Sequence, residues 1–577
     1  MQNLLENLEK MDLDISKTPW SAFGARFSVA IGKDGSVYLK DIGGGDEIPS
    51  ELFSMKLLSG KEGLDQKEEL EQVIEANENE CRIRAKNSPD RYVLLKFLFS
   101  DVISIECCDI RLRLEMHKSS HDFIQEKAKG IFIIQSCAKD HVYELDLRDA
   151  VYNVEAPWGR AGNEYIRIDI IKGVGSIREY ALVPCESDTK NTKFIDFTQW
   201  NQNYTYTGLE SRYCKARDLA SYILWSAFVR PEGKLTRNSV YSSKNCMTNI
   251  WSWDNCFCAL AMVESMPDLA LDQLLVFADN QHKAGAYPDC INDRFSLFSF
   301  CKPPIHGWTL LEMIKRNPTI LQSSSESIEY LYKSISESTN FWLRFRRLPS
   351  GAIIYRHGND SGWDNATLFM HGGPVESPDL YAYLSRQCDS LAEISRILEH
   401  GIEEAQNWTF LAESLAESML NRLWDDNGFF ARKGLLGERI EHRDSFLLRL
   451  PIVANKRLPE EVIKKLISDI SDESRFLTPF GLATESLDSS FMEPHGYWRG
   501  PIWAPVNYLV FDALRLLGEL NLANRIAQRF VDLCAQKGMA ENFDPIHGEG
   551  LDDPAFAWTS AVFLLFLKES ISKGIGD

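Results

Sequence analysis

Tryptophan lies close to aspartate, glutamate or arginine in several segments of the second half of the chain. They are WSWD at 251–254, DSGWDN at 360–365, YWRGPIW at 497–503, and ENFDP followed by GEG at 541–550, shortly before Trp558. A sugar ring packs its C–H face on an indole, while a nearby carboxylate accepts hydrogen bonds from its hydroxyls. The spacing therefore predicts a carbohydrate site in which carboxylates perform acid and base chemistry.

The segment from Asp360 to Asn365 carries the most information. Gly362 lets the backbone turn, and Trp363 supplies an apolar wall beside Asp364. Desolvation by that wall would raise the pKa of Asp364, and a protonated carboxyl at neutral pH is what a general acid requires. An Asx turn that only closes a loop explains Asp364 and Asn365, but it does not explain the tryptophan.

Two further segments favour sugar binding, each with a structural alternative. Trp251 and Trp253 suit a stacking platform with Asp254 as a hydroxyl acceptor, although Asp254 also suits the N-cap of a helix. Arg499 lies between two tryptophans, one of them Trp503, where it suits a pocket wall that orients an acid or sugar hydroxyls. The alternative for Arg499 is an ion pair with a structural carboxylate.

The last segment is rich in acidic residues. Glu541 and Glu549 are the candidates for a general base. Asp552 and Asp553 are interpreted as solvated loop charges, an interpretation that is weaker for Glu541. The sequence thus offers one carboxyl for the acid and two for the base.

The first 195 residues have a β-rich pattern. Predicted strands cover 92–99, 110–116, 131–134, 142–147, 165–171 and 180–183. The Glu-rich stretch 61–80 is expected to be a solvated loop or helix. Short strands separated by polar breaks are typical of a sandwich, so we predict an N-terminal β-sandwich domain over residues 1–200.

From about residue 210 the apolar residues recur at three- and four-residue steps, as on one face of a helix. The clearest repeats lie at 216–227, 411–423, 504–520, 526–534 and 557–571. A domain over 201–577 has room for about a dozen helices of average length. Because so many helices cannot share one bundle core, we predict a mainly α domain built as an α/α toroid, with its loops around a central pocket.

Composition excludes several classes of protein. The 83 acidic residues outnumber the 63 basic ones, and the net charge of −20 disfavours binding to nucleic acid. The acidic N-terminus does not resemble a signal peptide, and no apolar run has the length of a membrane span. The 13 cysteines follow no CxxC pattern, so we expect buried thiols in a cytoplasmic protein.

The sequence lacks the motifs of several other chemistries. HExxH, GxSxG and EF-hand patterns are absent, and KGVGSIRE at 172–179 has too few glycines for a phosphate loop. We therefore expect no metal and no cofactor, and a small carbohydrate as the only ligand. The sequence does not define an oligomeric state.

Five motifs in order resemble glycoside hydrolase family 63 and its relatives. They are WSWDNCF, the KPP tripeptide at 302–304, DSGWDNA, YWRGPIWAPVNYL, and ENFDP…GEG…FAWTSAV, and they span about residues 251–566. The relatives include bacterial α-glucosidases, mannosylglycerate and glucosylglycerate hydrolases and, more distantly, family 37 trehalases. A weaker similarity to the N-terminal β domain of some bacterial members lies in WSAFGARF at 20–27.

The resemblance implies an (α/α)6 barrel that hydrolyses an α-glycosidic bond with inversion. It makes Asp364 the general acid, Glu541 the general base and Asp254 a sugar-binding residue. The substrate-binding set that we predict is Trp251, Trp253, Asp254, Tyr287, His306, Trp363, Asn365, Arg499, Trp503, Glu549 and Trp558. Ala366 after the DN pair and His306 after KPP depart from the family pattern and bear on the substrate rather than the reaction.

The leading hypothesis is an inverting α-glycosidase, with α-glucosidase as the expected activity, that acts on a small α-glucoside or related glycoside. A trehalase would use the same acid and base. A lyase or epimerase on a toroid would favour Tyr, His or Lys near the sugar ring instead of two carboxylates. A sugar-binding protein without activity would need only the aromatic platform, yet both proposed carboxylates are present.

Overall fold

The computed structural model describes residues 11–59, 68–180 and 195–571 of the chain. Its contacts divide the chain into two compact units. The first comprises Met1–Asn203 with two later segments, Trp225–Arg230 and Ser243–Thr248. The second comprises Tyr204–Leu224, Pro231–Ser242 and Asn249–Asp577.

The first unit is rich in β-sheet. Its strands are β1 Phe27–Ile31, β2 Val37–Asp41, β3 Glu51–Leu58, β4 Gln72–Ala76, β5 Cys81–Ala85, β6 Ser88–Phe99, β7 Val102–Cys108, β8 Arg111–Met116, β9 Phe123–Ala128, β10 Ile131–Ser136, β11 His141–Glu155 and β12 Arg167–Glu179. They are hydrogen-bonded in the order β1-β2-β3-β8-β12-β7-β6-β5-β4, while β11 pairs with β12 and β10, and β9 pairs with β10. The short helix α1, Phe197–Asn201, follows the sheet.

Strand β12 joins two parts of this sheet. Arg167–Ile170 pairs with β8, and Gly173–Arg178 pairs with β7. At the change of partner Gly173 has φ +101°, and a Cβ there would lie 2.3 Å from the carbonyl oxygen of Asp149. Only glycine fits that position. The KGVGSIRE stretch therefore lies within strand β12, at the point where this strand changes its pairing partner, and is not a phosphate-binding loop.

Five of the predicted strand segments lie within or overlap β6, β8, β10, β11 and β12. For the sixth, Tyr180 follows the end of β12, and 181–183 lie outside the described residues. The interpretation of 61–80 as a solvated loop or helix is wrong for Gln72–Ala76, which forms β4 against β5. Opposite charges pair across this edge, since the Arg84 Nε atom donates to Glu75 at 2.6 Å. Residues 60–67 lie outside the described residues.

The second unit is mainly helical. Its α-helices are α2 Ser211–Ser226, α3 Asp254–Met262, α4 Pro267–Asp279, α5 His306–Arg316, α6 Ile320–Ser323, α7 Ser325–Phe345, α8 Pro378–Ile397, α9 Ile402–Leu423, α10 Glu460–Ile470, α11 Ala504–Leu517, α12 Leu520–Lys537 and α13 Ala557–Phe566, and a 3₁₀-helix covers Leu450–Arg457. The pattern predicted at 504–520 ends as α11 at Leu517, because Gly518 adopts φ +85° and caps the helix.

Neighbouring helices of this unit contact one another in a closed cycle. In this cycle α3 packs against α5, α5 against α8, α8 against the 3₁₀-helix 450–457, that helix against α11, α11 against α13, and α13 against α3. Five members of the cycle are each contacted by one additional helix. These pairs are α4 on α3, α7 on α5, α9 on α8, α10 on the 3₁₀-helix and α12 on α11. The Tyr213 hydroxyl of α2 donates to Asp532 of α12 at 2.7 Å.

Long connections between these helices contain short strands. After β12 the strands are β13 Phe228–Val229, β14 Ser239–Val240, β15 Ile250–Trp251, β16 Cys290–Ile291, β17 Ser296–Leu297, β18 Val375–Glu376, β19 Trp424–Asp425, β20 Gly428–Phe429, β21 Ala431–Lys433, β22 Glu438–Ile440, β23 Leu477–Thr478, β24 Gly481–Leu482, β25 Asn542–Phe543 and β26 Gly550–Leu551. Most residues named by the motifs lie on these connections. Across the described ranges, no helix combines the length and apolar character that a membrane crossing requires.

Candidate active site

The loop that carries Asp364 is held by close backbone packing. Gly362 ends a 3₁₀ turn at 358–361 with φ +71°, and a Cβ there would lie 2.7 Å from the Trp253 indole. The WSWD and DSGWDN motifs therefore meet at this glycine. The sequence predicted that Trp363 would desolvate Asp364, but 33% of the Asp364 side chain is exposed. Its nearest described cation is the Nζ atom of Lys302, 3.8 Å from Oδ1.

Glu541 has a much more enclosed position. It follows α12, only 4% of it is exposed, and its backbone N–H donates to the Asp553 carbonyl at 2.7 Å. The adjacent residues pair as β25 with β26, which fixes the loop. Burial, together with the carboxylates of Asp552 and Asp553, raises the pKa of Glu541 to about 8.

Tyr497 contacts the proposed base. Its hydroxyl donates to Glu541 Oε1 at 3.1 Å. Burial and the carboxylates of Glu541 and Asp364 raise the pKa of this hydroxyl above its usual range, so Tyr497 remains a neutral donor. Tyr497 therefore binds the proposed base, and the charge of the proposed acid also acts on its hydroxyl.

A buried lysine lies within 3.8 Å of two carboxyl groups. The Nζ atom of Lys302 lies 3.1 Å from Asp289 and 3.8 Å from Asp364, and it donates to the Asn359 carbonyl at 3.2 Å. Burial opposes the charge, but Asp289, Asp364 and Asp254 raise the pKa of Lys302 above its usual value. Lys302 is thus a fixed cation at the centre of an acidic group.

Asp254 belongs to the same group but is not the N-cap of α3. Trp253 occupies that position, and Asp254 is the first residue of the helix. Its Oδ1 accepts a hydrogen bond from Ser242 at 3.2 Å. Burial raises the pKa of Asp254 to about 8, with Lys302 acting in the opposite direction. The side chain therefore carries a proton at neutral pH.

Five tryptophans of the motifs pack on one another. Trp498 and Trp503 are stacked at 3.9 Å between ring centroids, Trp363 lies 4.8 Å from Trp498, and Trp558 lies 5.5 Å from both Trp253 and Trp503. All five are 4% exposed or less. This tryptophan cluster supports the loops, and the half-buried Trp251 leaves more of its surface open.

Tyr287 and His306 form a separate pair. Their ring centroids are 4.7 Å apart, and the Tyr287 hydroxyl shares a 2.8 Å hydrogen bond with Ser334. Burial lowers the pKa of His306 to about 4, so the imidazole is neutral. Among the described residues its Nε2 atom has no hydrogen-bond partner. His306 therefore has an unused polar atom in a buried position.

Asp364, Asn365 and Arg499 line a cavity of about 490 Å³, together with His357, Gly358, Phe369, Met370, Gly372 and Gly373. The Arg499 Nη2 atom donates to Glu493 at 2.5 Å, so the predicted ion pair with a carboxylate is present. Its Nε atom has no partner within the described part of the chain. Arg499 thus combines a structural ion pair with a place on the cavity wall.

Comparisons with known proteins identify the family of this chain. The family described as the mannosylglycerate hydrolase MGH1-like glycoside hydrolase domain matches residues 247–559. The chain belongs to this family. The predicted resemblance to glycoside hydrolase family 63 is thereby confirmed, and the chain is a glycoside hydrolase rather than a lyase or an epimerase.

The chain is also similar to individual mannosylglycerate hydrolases and to a trehalase. A mannosylglycerate hydrolase of Thermus thermophilus is 30% identical over 55% of this chain and 94% of its own length. That of Rubrobacter radiotolerans is 23% identical over 54% of this chain and 89% of its own. A periplasmic trehalase of Xanthomonas campestris is 25% identical over 39% of this chain and 42% of its own.

Solved structures share the fold. A GH63 mannosylglycerate hydrolase from a second Thermus thermophilus strain, in complex with glucose, has a TM-score of 0.54 at 21% identity, over 61% of this chain and all of the other. A bacterial glucoamylase complexed with acarbose has a TM-score of 0.59 at 11% identity, over 98% of this chain and 95% of the other. The second similarity extends through the sheet-rich unit of this MGH1-like hydrolase.

The acidic residues of the last motif differ in how exposed they are to solvent. Glu549 pairs with Lys537 at 2.5 Å, and its side chain is 61% exposed. Glu541 alone of the two base candidates is therefore enclosed. Asp552 is exposed, as predicted, but the interpretation of Asp553 as a solvated charge is wrong. Asp553 is fully buried, because its carboxylate accepts the Ala555 N–H and its carbonyl accepts that of Glu541.

Three site residues were missed by the prediction from sequence, namely Lys302, Asp289 and Tyr497. Lys302 and Tyr497 lie in motifs that carried the family resemblance, KPP and YWRGPIW, so their motif membership was an available signal. Asp289 follows Tyr287 by two residues but has no local signal of its own. Its role depends on the ion pair with Lys302, which the sequence does not reveal.

A group of described side chains within the helical unit resembles a metal site. Ligand atoms of His442, Asp444 and Glu485 lie within 4.8 Å of one another. However, the buried Glu485 already accepts hydrogen bonds from His442 at 2.6 Å and from Thr367 at 2.8 Å, and Asp444 pairs with Arg475 at 2.8 Å. These donors engage the carboxylates. In this MGH1-like hydrolase the group anchors the loop that follows Asp364.

Proposed function

We propose that the protein hydrolyses, with inversion, the α-glycosidic bond of a small glycoside whose aglycone carries a carboxylate, such as mannosylglycerate. The observation that carries the proposal is the enclosed Glu541, hydrogen-bonded to Tyr497, whose backbone is tied by Asn365 to the loop of Asp364. An inverting hydrolase needs two carboxyl groups on opposite faces of the bond, roughly 6.5–9.5 Å apart, so that water fits between the base and the sugar.

Asp364 is the general acid in this proposal. It protonates the glycosidic oxygen as the bond to the anomeric carbon breaks. Glu541 accepts a proton from the water whose oxygen forms the new bond to that carbon. Asp364 ends the reaction ionised beside Lys302, and the fixed ammonium stabilises that product state.

Glu541 must lose its proton before it can act as a base. Because burial and the neighbouring carboxylates raise its pKa to about 8, the free protein holds a proton there at neutral pH. A raised pKa also makes the ionised carboxylate a stronger base once the proton has left. The proposal therefore requires activity that increases towards weakly alkaline pH on a substrate that needs no acid, such as a glycosyl fluoride, whereas a glycoside also needs a protonated Asp364.

The sugar and the aglycone would occupy different parts of the site. Asp254, Lys302 and Trp251 supply hydrogen bonds and an aromatic surface for the sugar. The cavity lined by Asp364 and Asn365 also contains Arg499, whose guanidinium suits a carboxylate. The names of the relatives, which are mannosylglycerate hydrolases, support an acidic aglycone.

A neutral α-glucoside is the second candidate substrate. The structure from Thermus thermophilus is a complex with glucose, and a trehalase is among the relatives. Glu493 already neutralises part of the Arg499 charge, which would admit an uncharged aglycone. The two candidates differ in whether affinity depends on Arg499.

We also propose that the helical unit is a complete (α/α)6 toroid. The closed cycle of contacts through α3, α5, α8, the 3₁₀-helix, α11 and α13 supports it, with α4, α7, α9, α10, α12 and α2 as the outer layer. In that arrangement the 3₁₀-helix 450–457 replaces an α-helix of the inner ring.

A hydrolysis panel tests the function. The purified protein would be incubated with mannosylglycerate, glucosylglycerate, trehalose and α-glucosyl disaccharides, and proton NMR would identify the anomer released first. We expect a β-anomer and the highest kcat/KM on a glycosylglycerate, with Asp364→Asn as the inactive control. First release of an α-anomer would exclude inversion, and a preference for trehalose would exclude the acidic aglycone.

A further inference from the structure

Asn365 connects the loop of Asp364 to the segment that carries Tyr497. Its Oδ1 atom accepts a hydrogen bond from the Trp498 backbone N–H, and its Nδ2 atom donates to the Gly496 carbonyl, both at 3.0 Å. These two peptide groups flank Tyr497 on either side. One amide side chain therefore holds the backbone at both ends of a single residue.

Tyr497 needs such support because its backbone conformation is unfavourable. Its φ is +63°, in the left-handed region that favours glycine. A third bond fixes the same residue, since the Trp503 Nε1 atom donates to the Tyr497 carbonyl at 2.9 Å. Non-glycine residues persist in this region where the surroundings determine them strongly, and such positions concentrate at functional sites.

The direction of the Tyr497 side chain follows from this backbone conformation. With the peptide groups on both sides fixed, the phenol is held where its hydroxyl donates to Glu541. If Tyr497 relaxed to an extended conformation, the side chain would leave that position. The hydrogen bond to Glu541 therefore depends on Asn365, although Asn365 does not touch Glu541.

We propose that Asn365 is a positioning residue that holds the Tyr497 hydroxyl against Glu541 and so couples the acid loop to the general base. This inference rests on the proposed function of Glu541. It differs from the sequence-based expectation that Asn365 binds substrate, since both hydrogen-bonding atoms of its amide are engaged by the protein backbone.

The Tyr497 hydroxyl affects the protonation of Glu541. The hydrogen bond from Tyr497 stabilises the ionised carboxylate and opposes the rise in its pKa caused by burial. Loss of that bond should therefore raise the pKa of Glu541 further. A substrate ligand without this positioning role would have no such effect in the free protein.

The test compares Asn365→Ala, Tyr497→Phe and the double variant. Carboxyl-¹³C glutamate labelling would follow the titration of Glu541, whose resonance is assigned by its loss in Glu541→Gln. We expect each single variant to raise the pKa of Glu541 by about half a unit or more, which is roughly a threefold change in proton affinity. The double variant should equal Tyr497→Phe, because Asn365 acts only through that hydroxyl.

Kinetics add a second readout. In Asn365→Ala we expect kcat to fall about tenfold while KM changes less than about twofold, as for the loss of an interaction with the base. Asn317→Ala is the matched control, because the Asn317 amide also donates to a backbone carbonyl but lies at the end of α5. Asn365→Asp replaces Asn365→Ala if the latter does not fold, and it keeps only the acceptor for Trp498.

An unchanged Glu541 titration in Asn365→Ala, or a rise in KM alone, would overturn the inference and return Asn365 to the substrate-binding residues. Additive shifts in the double variant would also overturn it. Failure of the proposed function is separate: the wild-type protein would then hydrolyse none of the glycosides, while the titration of Glu541 would still respond to Asn365.

Discussion

The two carboxyl groups of the site lie in opposite surroundings. Asp364 keeps a third of its side chain exposed and has the Lys302 ammonium 3.8 Å away. Glu541 is 4% exposed, and its charged neighbours are the carboxylates of Asp552 and Asp553. The surroundings of Asp364 provide a cation and solvent, whereas those of Glu541 provide burial and negative charge.

This difference explains how the pair can complete a reaction cycle. The proposed acid becomes negative during catalysis, and its surroundings stabilise that charge. The proposed base begins negative, and its surroundings make that state costly, which strengthens it as a base. The two carboxyls therefore differ in whether their surroundings favour the charged form. Substitution of Asp364 and substitution of Glu541 should have distinct effects.

The largest effects should come from the carboxyls themselves. Asp364→Asn and Glu541→Gln should each lower kcat on the natural glycoside by about 10²–10⁴-fold, the usual contribution of general acid–base catalysis. An α-glycosyl fluoride separates the roles, because fluoride leaves without a proton. Fluoride release, followed with an ion-selective electrode, should return to within about tenfold of wild type in Asp364→Asn only.

That result would contradict the assignment if the variants behaved in reverse, with Glu541→Gln recovered by the fluoride substrate. Equal recovery of both would contradict a division into acid and base. Circular dichroism would confirm that each variant keeps its helices, so that lost activity reports chemistry.

Substitutions of Asp364 and Glu541 should have different effects on the stability of the protein. A glutamate whose folded-state pKa is raised contributes stability that is complete below its unfolded pKa of about 4.3 and is lost as pH rises through about 8. Glu541→Gln should therefore exceed wild type by about 2–4 kcal/mol in unfolding free energy at about pH 9, with little difference at about pH 4.5.

Asp364→Asn is the matched control for stability, because its side chain is a third exposed and beside a cation. Urea unfolding at both pH values would measure each variant against wild type. A gain for Asp364→Asn at the alkaline pH that equalled the gain for Glu541→Gln would remove the contrast between the two regions.

Lys302 is the cation beside Asp364, so its removal should impair the catalytic role of Asp364 more than that of Glu541. Lys302→Met should lower kcat/KM by about 10–100-fold, since it removes the cation beside the carboxylate that forms. Lys315→Met, which removes a surface ion pair on α5, is the control. Steady-state kinetics that left Lys302→Met within about twofold of wild type would contradict this account.

Local patterns predicted much of this molecule. The helical repeats at 411–423, 526–534 and 557–571 coincide with or overlap helices, and the alternation at 110–116 coincides with β8. These signals depend on neighbours in sequence. Motif order indicated the family, which is confirmed, and the resemblance named Asp364 and Glu541 as the acid and base, which stays a prediction.

Contacts between distant segments account for what could not be predicted. Asp553 was interpreted as a solvated charge because its burial depends on the loop folding back to Glu541. The acidic strand β4 was missed because Arg84 of β5 pairs with it across the sheet. The left-handed Tyr497 depends on Asn365, and no local pattern predicts a tyrosine in that conformation.

The smallest expected effect is the slope of the pH–rate profile. With an α-glycosyl fluoride, whose departure needs no proton from Asp364, kcat/KM should rise nearly tenfold from about pH 6 to about pH 7 and level off above about pH 8 if Glu541 acts as the base with a pKa of about 8. In Glu541→Gln the residual activity should lose this rise, whereas Asp364→Asn on a glycosyl fluoride should retain it. Initial rates in buffers of constant ionic strength would measure all three profiles. A rise that survives in Glu541→Gln would assign the titration to another group and would separate the buried position of Glu541 from its proposed role.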